Sequence, residues 1–212
     1  MTALVQDMII VHRVFRREFE QTSTLVRKVQ DRDTGRAGVV GEHLELLLNL
    51  LHHHHETEDE LLWPRLQERL PARIESFASL ESEHANLALL IARVTDGLAQ
   101  WRKSADISAR ETLASSIDEL RRPMIEHLDH EESILPVCAE ALSQDEWNKL
   151  GERALGGLGV PKSLLVLAAM HEECPEEEWA QFTVLLPPPI QAAYEREAVE
   201  LYAPYIERVR TA

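Results

Sequence analysis

Apolar positions recur at steps of three and four along four long stretches of the chain. In the first, Leu4, Met8, Phe15, Phe19, Thr22, Val26 and Val29 share one helical face once His12 is placed between Met8 and Phe15. A break rich in Asp, Arg and Gly from Asp31 to Gly38 precedes the second, whose seam runs Val40, His43, Leu47, Leu50, His54, Glu58, Leu61 and stops at Pro71, where a new helix can begin. The third seam, Phe77, Leu80, His84, Leu87, Ile91, Val94 and Leu98, has no slip, and Lys103 to Ile107 reads as a loop. Ser108 with Glu111 then forms an expected capping box, opening a fourth seam of Leu113, Ile117, Leu120, Met124, His127, Glu131 and Leu135. Pro123 and Pro136 fall inside it and predict kinks or local breaks.

The expected architecture is all-α: an up-down-up-down antiparallel four-helix bundle over residues 1–142, followed by a C-terminal helical extension over 143–212. In such a bundle, depth can be counted from the loops at roughly 1.5 Å per residue. Glu58 lies 13 residues before Pro71 and His84 lies 13 after it; His84 lies 20 before Ser104 and His127 lies 19 after Ser108. His12 is 21 residues before Asp33, with His54 and Glu58 at 16 and 20 after Gly38. His12, His54, Glu58, His84, His127 and Glu131 therefore converge on one core layer. Burying that many ionisable groups is costly without a common partner, and the partner indicated is metal.

Leu, Ala, Glu and Arg dominate while Gly is scarce, in keeping with helix. A formal charge of −15 argues against nucleic acid and anionic membrane surfaces as partners, both of which require clustered Lys and Arg. No stretch of about 18 uncharged apolar residues or basic-then-apolar leader is present, so the expectation is a soluble, cytoplasmic protein. Cys138 and Cys174 have no metal-ligand spacing and read as reduced thiols.

A His-x-x-x-Glu pair places imidazole and carboxylate one turn apart on one face. Two such pairs and two lone histidines suit two ions bridged by Glu58 and Glu131 better than one crowded ion. With His12, His54-x-x-x-Glu58, His84 and His127-x-x-x-Glu131, and with the flanking blocks HHHHETEDELLWP (His52 to Pro64) and HLDHEESILP (His127 to Pro136), the chain resembles a bacterial hemerythrin-like (HHE cation-binding) domain over roughly residues 1–142. The resemblance implies a non-haem di-iron centre, two Fe ions with an oxo or hydroxo bridge. Imidazole spacing alone would also suit Zn, Cu or Ni. By position, His12 and His54 would hold one iron and His84 and His127 the other, with Glu58 and Glu131 bridging. Oxygen-carrying members place two histidines one turn apart on the third helix; here Ala88 follows His84 and Leu80 precedes it. An open coordination position favours turnover of O2, H2O2 or NO in oxidative or nitrosative stress over reversible carriage. A non-enzymatic O2 or iron sensor, or plain O2 or iron binding, is the alternative, and no catalytic residue beyond the ligands is expected.

His43 lies about two turns from the layer and reads as a structural histidine. In the tetrad His52 to His55 the seam selects His54, with His55 next, while His130 has the right depth but is turned about 100° from Glu131. Asp129, Glu126 and the Glu56 to Glu60 cluster read as solvated faces. A ferritin-like carboxylate site needs two Glu-x-x-His motifs; Glu81-x-x-His84 is present, but Met124 and Leu51 stand three residues before His127 and His54. In the tail, Ser143 with Glu146 caps a helix to about Leu155. Further helices are expected at Lys162 to Glu172, Glu176 to Leu185 and Ile190 to Val209, the last interrupted by Pro204. The aromatic surface of this tail is expected to pack on the bundle or to serve a dimer or another partner.

Overall fold

A computed structural model of the chain describes residues 2–211. Helix α1 (Gln6–Lys28) is followed by α2 (Thr34–Thr57), which continues through a π-helical turn (Glu58–Leu62) into α3 (Trp63–Arg69). A 3₁₀ turn at Pro71–Arg73 reverses the chain into α4 (Ile74–Ser104), and α5 (Ile107–Ala141) completes the bundle. The helices pack in a closed ring, α1 on α2, α2 on α4, α4 on α5 and α5 on α1. With short reversals between them this is the up-down-up-down arrangement.

Local chemistry fixes the ends. Asp33 caps α2 by accepting from Arg36 N–H at 2.8 Å. The fourth helix is capped by Asp106, which accepts from Ala109 N–H at 2.9 Å, and not by the expected Ser108. The reason lies one residue earlier: α4 runs on to Ser104 and ends in a left-handed Ala105 (φ 50°), leaving two residues for the whole turn. Pro123 and Pro136 do not break α5, which is helical through both. Each removes only one backbone donor, and the side chains around them, Leu120, Met124, Leu135 and Cys138, are buried.

The π-turn corrects the second seam. Beyond Glu58 the buried positions are Leu62, Trp63 and Leu66, whereas the expected Leu61 is only partly buried. Four-residue steps drift around an α-helix but are nearly in phase with the wider π-turn, so one turn of it keeps His54, Glu58, Leu62 and Leu66 facing inward. Pro64 contributes to the wider turn, having no N–H to donate and no room for a regular carbonyl four residues before it.

Beyond the bundle lie α6 (Gln144–Gly156), α7 (Val160–Glu172), α8 (Glu176–Thr183), α9 (Pro188–Ala193) and, after a π-turn at Tyr194–Ala198, α10 (Val199–Arg210). The Ser143–Glu146 capping box is formed in both directions. Pro204 sits inside α10 without interrupting it. Leu164, Leu167, Tyr194 and Ile206 join the cluster formed by Val14, Leu44 and Leu47, so the extension is built onto the α1–α2 face. Arg13 reaches Glu178 at 2.7 Å, Arg17 reaches Glu172 at 3.1 Å and also Glu173, and Arg36 caps the backbone carbonyls of Arg208 and Val209. Among the described residues no single helix is long and apolar enough to cross a membrane.

Candidate metal centre

A polar layer divides the apolar core in two. Phe15, Leu51, Leu87 and Met124 belong to one apolar cluster, and Met8, Leu62, Leu80 and Ile134 to the other. Between them on every bundle helix stand the predicted groups: His12 on α1, His54 and Glu58 around the α2 end, His84 on α4, His127 and Glu131 on α5. All six are buried, and Glu58 and Glu131 are at most 1 % exposed.

The structure brings these six together as two facing pairs. His12 Nε2 and His54 Nε2 are 3.1 Å apart, and so are His84 Nε2 and His127 Nε2. Glu58 spans both pairs, with Oε1 3.2 Å from His54 Nε2 and Oε2 3.4 Å from His84 Nε2. Glu131 Oε2 lies 3.4 Å from His12 Nε2 and 3.8 Å from His127 Nε2.

Three of the imidazoles are oriented from behind by carboxylates. His84 Nδ1–H donates to Asp59 (2.7 Å), His127 Nδ1–H to Glu83 (3.0 Å) and His12 Nδ1–H to Glu132 (3.0 Å). Each carboxylate sits next in sequence to a member of the layer and serves the following helix around the ring: α2 to α4, α4 to α5, α5 to α1. Arg16 in turn holds Glu132 and Asp129, each at 2.7 Å. With the proton on Nδ1, both Nε2 lone pairs of the His84–His127 pair point at the same spot, a repulsive arrangement that a cation relieves. Asp59 therefore belongs to the site and not to a solvated face, and Asp129 is tied to the same outer network.

The electrostatics point the same way. Burial pushes His54 down to about 3 and lowers His127, keeping both imidazoles neutral and ready to ligate. Burial, and then the neighbouring Glu131, drive Glu58 well above the usual carboxylate range. Burial would also raise Glu131, but His12, His54 and His127 more than offset it and hold it low. No oxygen of Glu58 or Glu131 has a hydrogen-bond donor. Four buried carboxylate oxygens without a hydrogen-bond donor, facing the ring nitrogens of His12, His54, His84 and His127, fit a cation-binding group.

His55 is a further group at the centre. Its ring stacks on His84 (centroids 4.3 Å apart) and stands edge-on to His127 (5.1 Å), and its buried Nε2 has no partner. His55, His84 and His127 together present nitrogen atoms close enough to share one ion, as do the side chains of His12, His54 and Glu131, and of Glu58, His127 and Glu131. His130 instead faces outward, 2.8 Å from Glu83 and one-third exposed. His43 lies away from the layer, between Glu18 (3.0 Å) and the Tyr205 hydroxyl (2.8 Å). Cys138 and Cys174 are unbonded thiols.

Comparison with curated proteins and with solved structures finds no match. The sequence model of the hemerythrin HHE cation-binding domain matches residues 3–138, from just before α1 almost to the end of α5. With that match over the helices that carry the buried His/Glu layer, the chain belongs to the hemerythrin HHE cation-binding domain family.

Proposed function

We propose that the protein is a non-haem di-iron protein that consumes small oxidants, H2O2, NO or O2. The observation that carries this reading is the paired geometry: two facing imidazole pairs, with the two oxygens of Glu58 each reaching one pair. His12 and His54 would hold one iron, and His84 and His127 with His55 the other. Glu58 and Glu131 would serve both. Iron held there supplies one-electron redox chemistry and room for a small exogenous ligand.

The chain's own residues do the rest. Asp59, Glu83 and Glu132 fix the rings with Nε2 inward and raise their basicity. Phe15, whose ring is 5.3 Å from His54, and Trp63, 6.2 Å from His84, wall the layer off from bulk water. The unequal imidazole numbers, two on one side and three on the other, leave the His12–His54 side the poorer in ligands and the natural entry for a small molecule.

A non-catalytic sensor is the second reading, favoured by the ion pairs of Arg13 and Arg17 that tie α1, the helix carrying His12, to the extension. Two measurements separate the readings. Protein grown in iron-rich medium should carry two irons per chain with ferric oxo-bridge absorption bands; fewer than two at full loading defeats the di-iron assignment. Added H2O2 or NO should disappear over many turnovers, whereas a purely stoichiometric reaction with altered protease sensitivity of α7–α10 identifies the sensor.

A further inference from the structure

Between the bundle and its extension lies a cavity of about 280 Å³. One wall is formed by α1 and α2, with Met8, Val11 and Leu50; the other by α6 to α9, with Leu150, Leu155 and Phe182. An apolar protein cavity of about 150 Å³ takes up benzene, so this one accepts an organic molecule on the order of ten carbons. Its inner end is formed by His54, Thr57 and Glu58, and the cavity therefore abuts the polar layer on the side poorer in imidazoles.

Most polar groups along the wall are already satisfied. Asp7 accepts from Trp147 Nε1–H at 2.8 Å, Ser163 donates to the Leu155 carbonyl at 2.9 Å, and Asn148 accepts from Gln144 at 2.8 Å. One outside the His/Glu layer is not: Thr57 is 2 % exposed with no partner for Oγ1. A buried group of this kind marks where a ligand's polar end is met. The wall contains no lysine or arginine, while Asp7, Glu58 and Glu152 all line it, which disfavours a carboxylate or phosphate headgroup. His54 is the one imidazole of the two facing pairs that no carboxylate orients from behind among the described residues. His54 also lines the cavity.

We infer that this cavity binds a neutral, mainly apolar organic molecule with one hydroxyl-type group, its chain lying between α1–α2 and α6–α9 and its hydroxyl against Thr57. The inference goes beyond small-oxidant chemistry, and it rests on that reading only in placing the cavity's inner end at a metal layer.

The test uses the iron-loaded full chain and 1-octanol as probe, followed by titration calorimetry, with octanoate and octylammonium as charged controls. Saturable one-to-one binding of octanol and much weaker binding of both controls is expected. Gly151 lines the cavity, and a Cβ built there meets only Asp7 Oδ2, at 3.9 Å. Gly151→Leu, at a position with room for a Cβ, should take up part of the cavity and weaken octanol on the order of tenfold or more, while raising Tm, because Gly inside α6 disfavours helix. Thr57→Val should weaken octanol about three- to tenfold, the loss of one hydrogen bond.

Absence of saturable octanol binding, or binding that Gly151→Leu leaves unchanged, overturns the inference. A charged control that binds as tightly as octanol overturns the neutral class. Iron per chain is measured on the same sample. Octanol binding with fewer than two irons defeats the di-iron reading alone, and two irons without octanol binding defeats this inference alone.

Discussion

His43 Nε2 lies 3.0 Å from Glu18 Oε2, and through this pair the bundle grips its extension. Tyr205 on α10 approaches the other ring nitrogen of His43 at 2.8 Å, and Arg210 lies 3.3 Å from Glu18. His43→Ala should leave iron content at the wild-type level and lower stability by about 1–3 kcal/mol, as expected for a buried polar group losing its partner. Limited proteolysis should then cut first in α10. Iron loss equal to that of His54→Ala would place His43 in the metal layer after all.

Glu18 gives this junction a pH dependence. Burial would raise its carboxyl, but His43, Arg17 and Arg210 more than offset that and bring it to about 2. A carboxylate depressed on folding stabilises the fold above its unfolded pKa of about 4.3, and the contribution is lost as pH falls through the folded value. The full effect is about 3 kcal/mol. In urea unfolding, the stability gap between wild type and Glu18→Gln should be widest above pH 5 and shrink toward pH 2. A gap that is constant from pH 6 to 2 would show that Glu18 is not held by these partners.

Glu58 should show opposing effects on metal binding and stability. Glu58→Gln removes a buried carboxylate to which no residue of the chain donates a hydrogen bond. The metal-free variant should be more stable than metal-free wild type, by about 1–3 kcal/mol, yet hold less iron. Chelating iron from wild type should lower Tm. A metal-free Glu58→Gln that is less stable than wild type would mean the layer is balanced without a cation.

Glu83 orients His127 and also holds His130, so it should matter more than His130 itself. Glu83→Gln should weaken iron affinity about 10- to 100-fold, the usual cost of losing a carboxylate behind a metal-binding imidazole. His55→Ala should lower iron occupancy, and His130→Ala should leave it near normal. Metal analysis after dialysis against graded chelator ranks all three; a larger loss from His130→Ala than from His55→Ala would reverse the assignment of the extra imidazole.

The six layer residues were legible because each lies on an apolar seam at a depth that the loops calibrate. His55 was legible only as the next choice after His54, because seam reading admits one inward residue per turn. Helix α2 has neighbours on two sides, α1 and α4, so His54 and His55, about 100° apart, can each turn toward one of them. Asp59, Glu83 and Glu132 were hidden for a related reason. Each lies beside a seam residue and resembles a solvated face until the next helix brings an imidazole to it. Asp106 as the cap of α5 depended on the left-handed Ala105, which no side-chain pattern announces. The π-turn was equally silent, since its buried residues keep a helical spacing of four.

That π-turn also separates two functions of one continuous helix by a single amino acid. Deleting Glu60 would let the wide turn relax to an ordinary one and leave His54 and Glu58 where they are. Everything from Leu62 onward would turn by about 100°, carrying Trp63 away from Phe77 and His84. The chain would then keep the buried His/Glu layer but lose the Trp63–Phe77 stack packed against it, so one extra residue in the turn decides which aromatic ring covers His84.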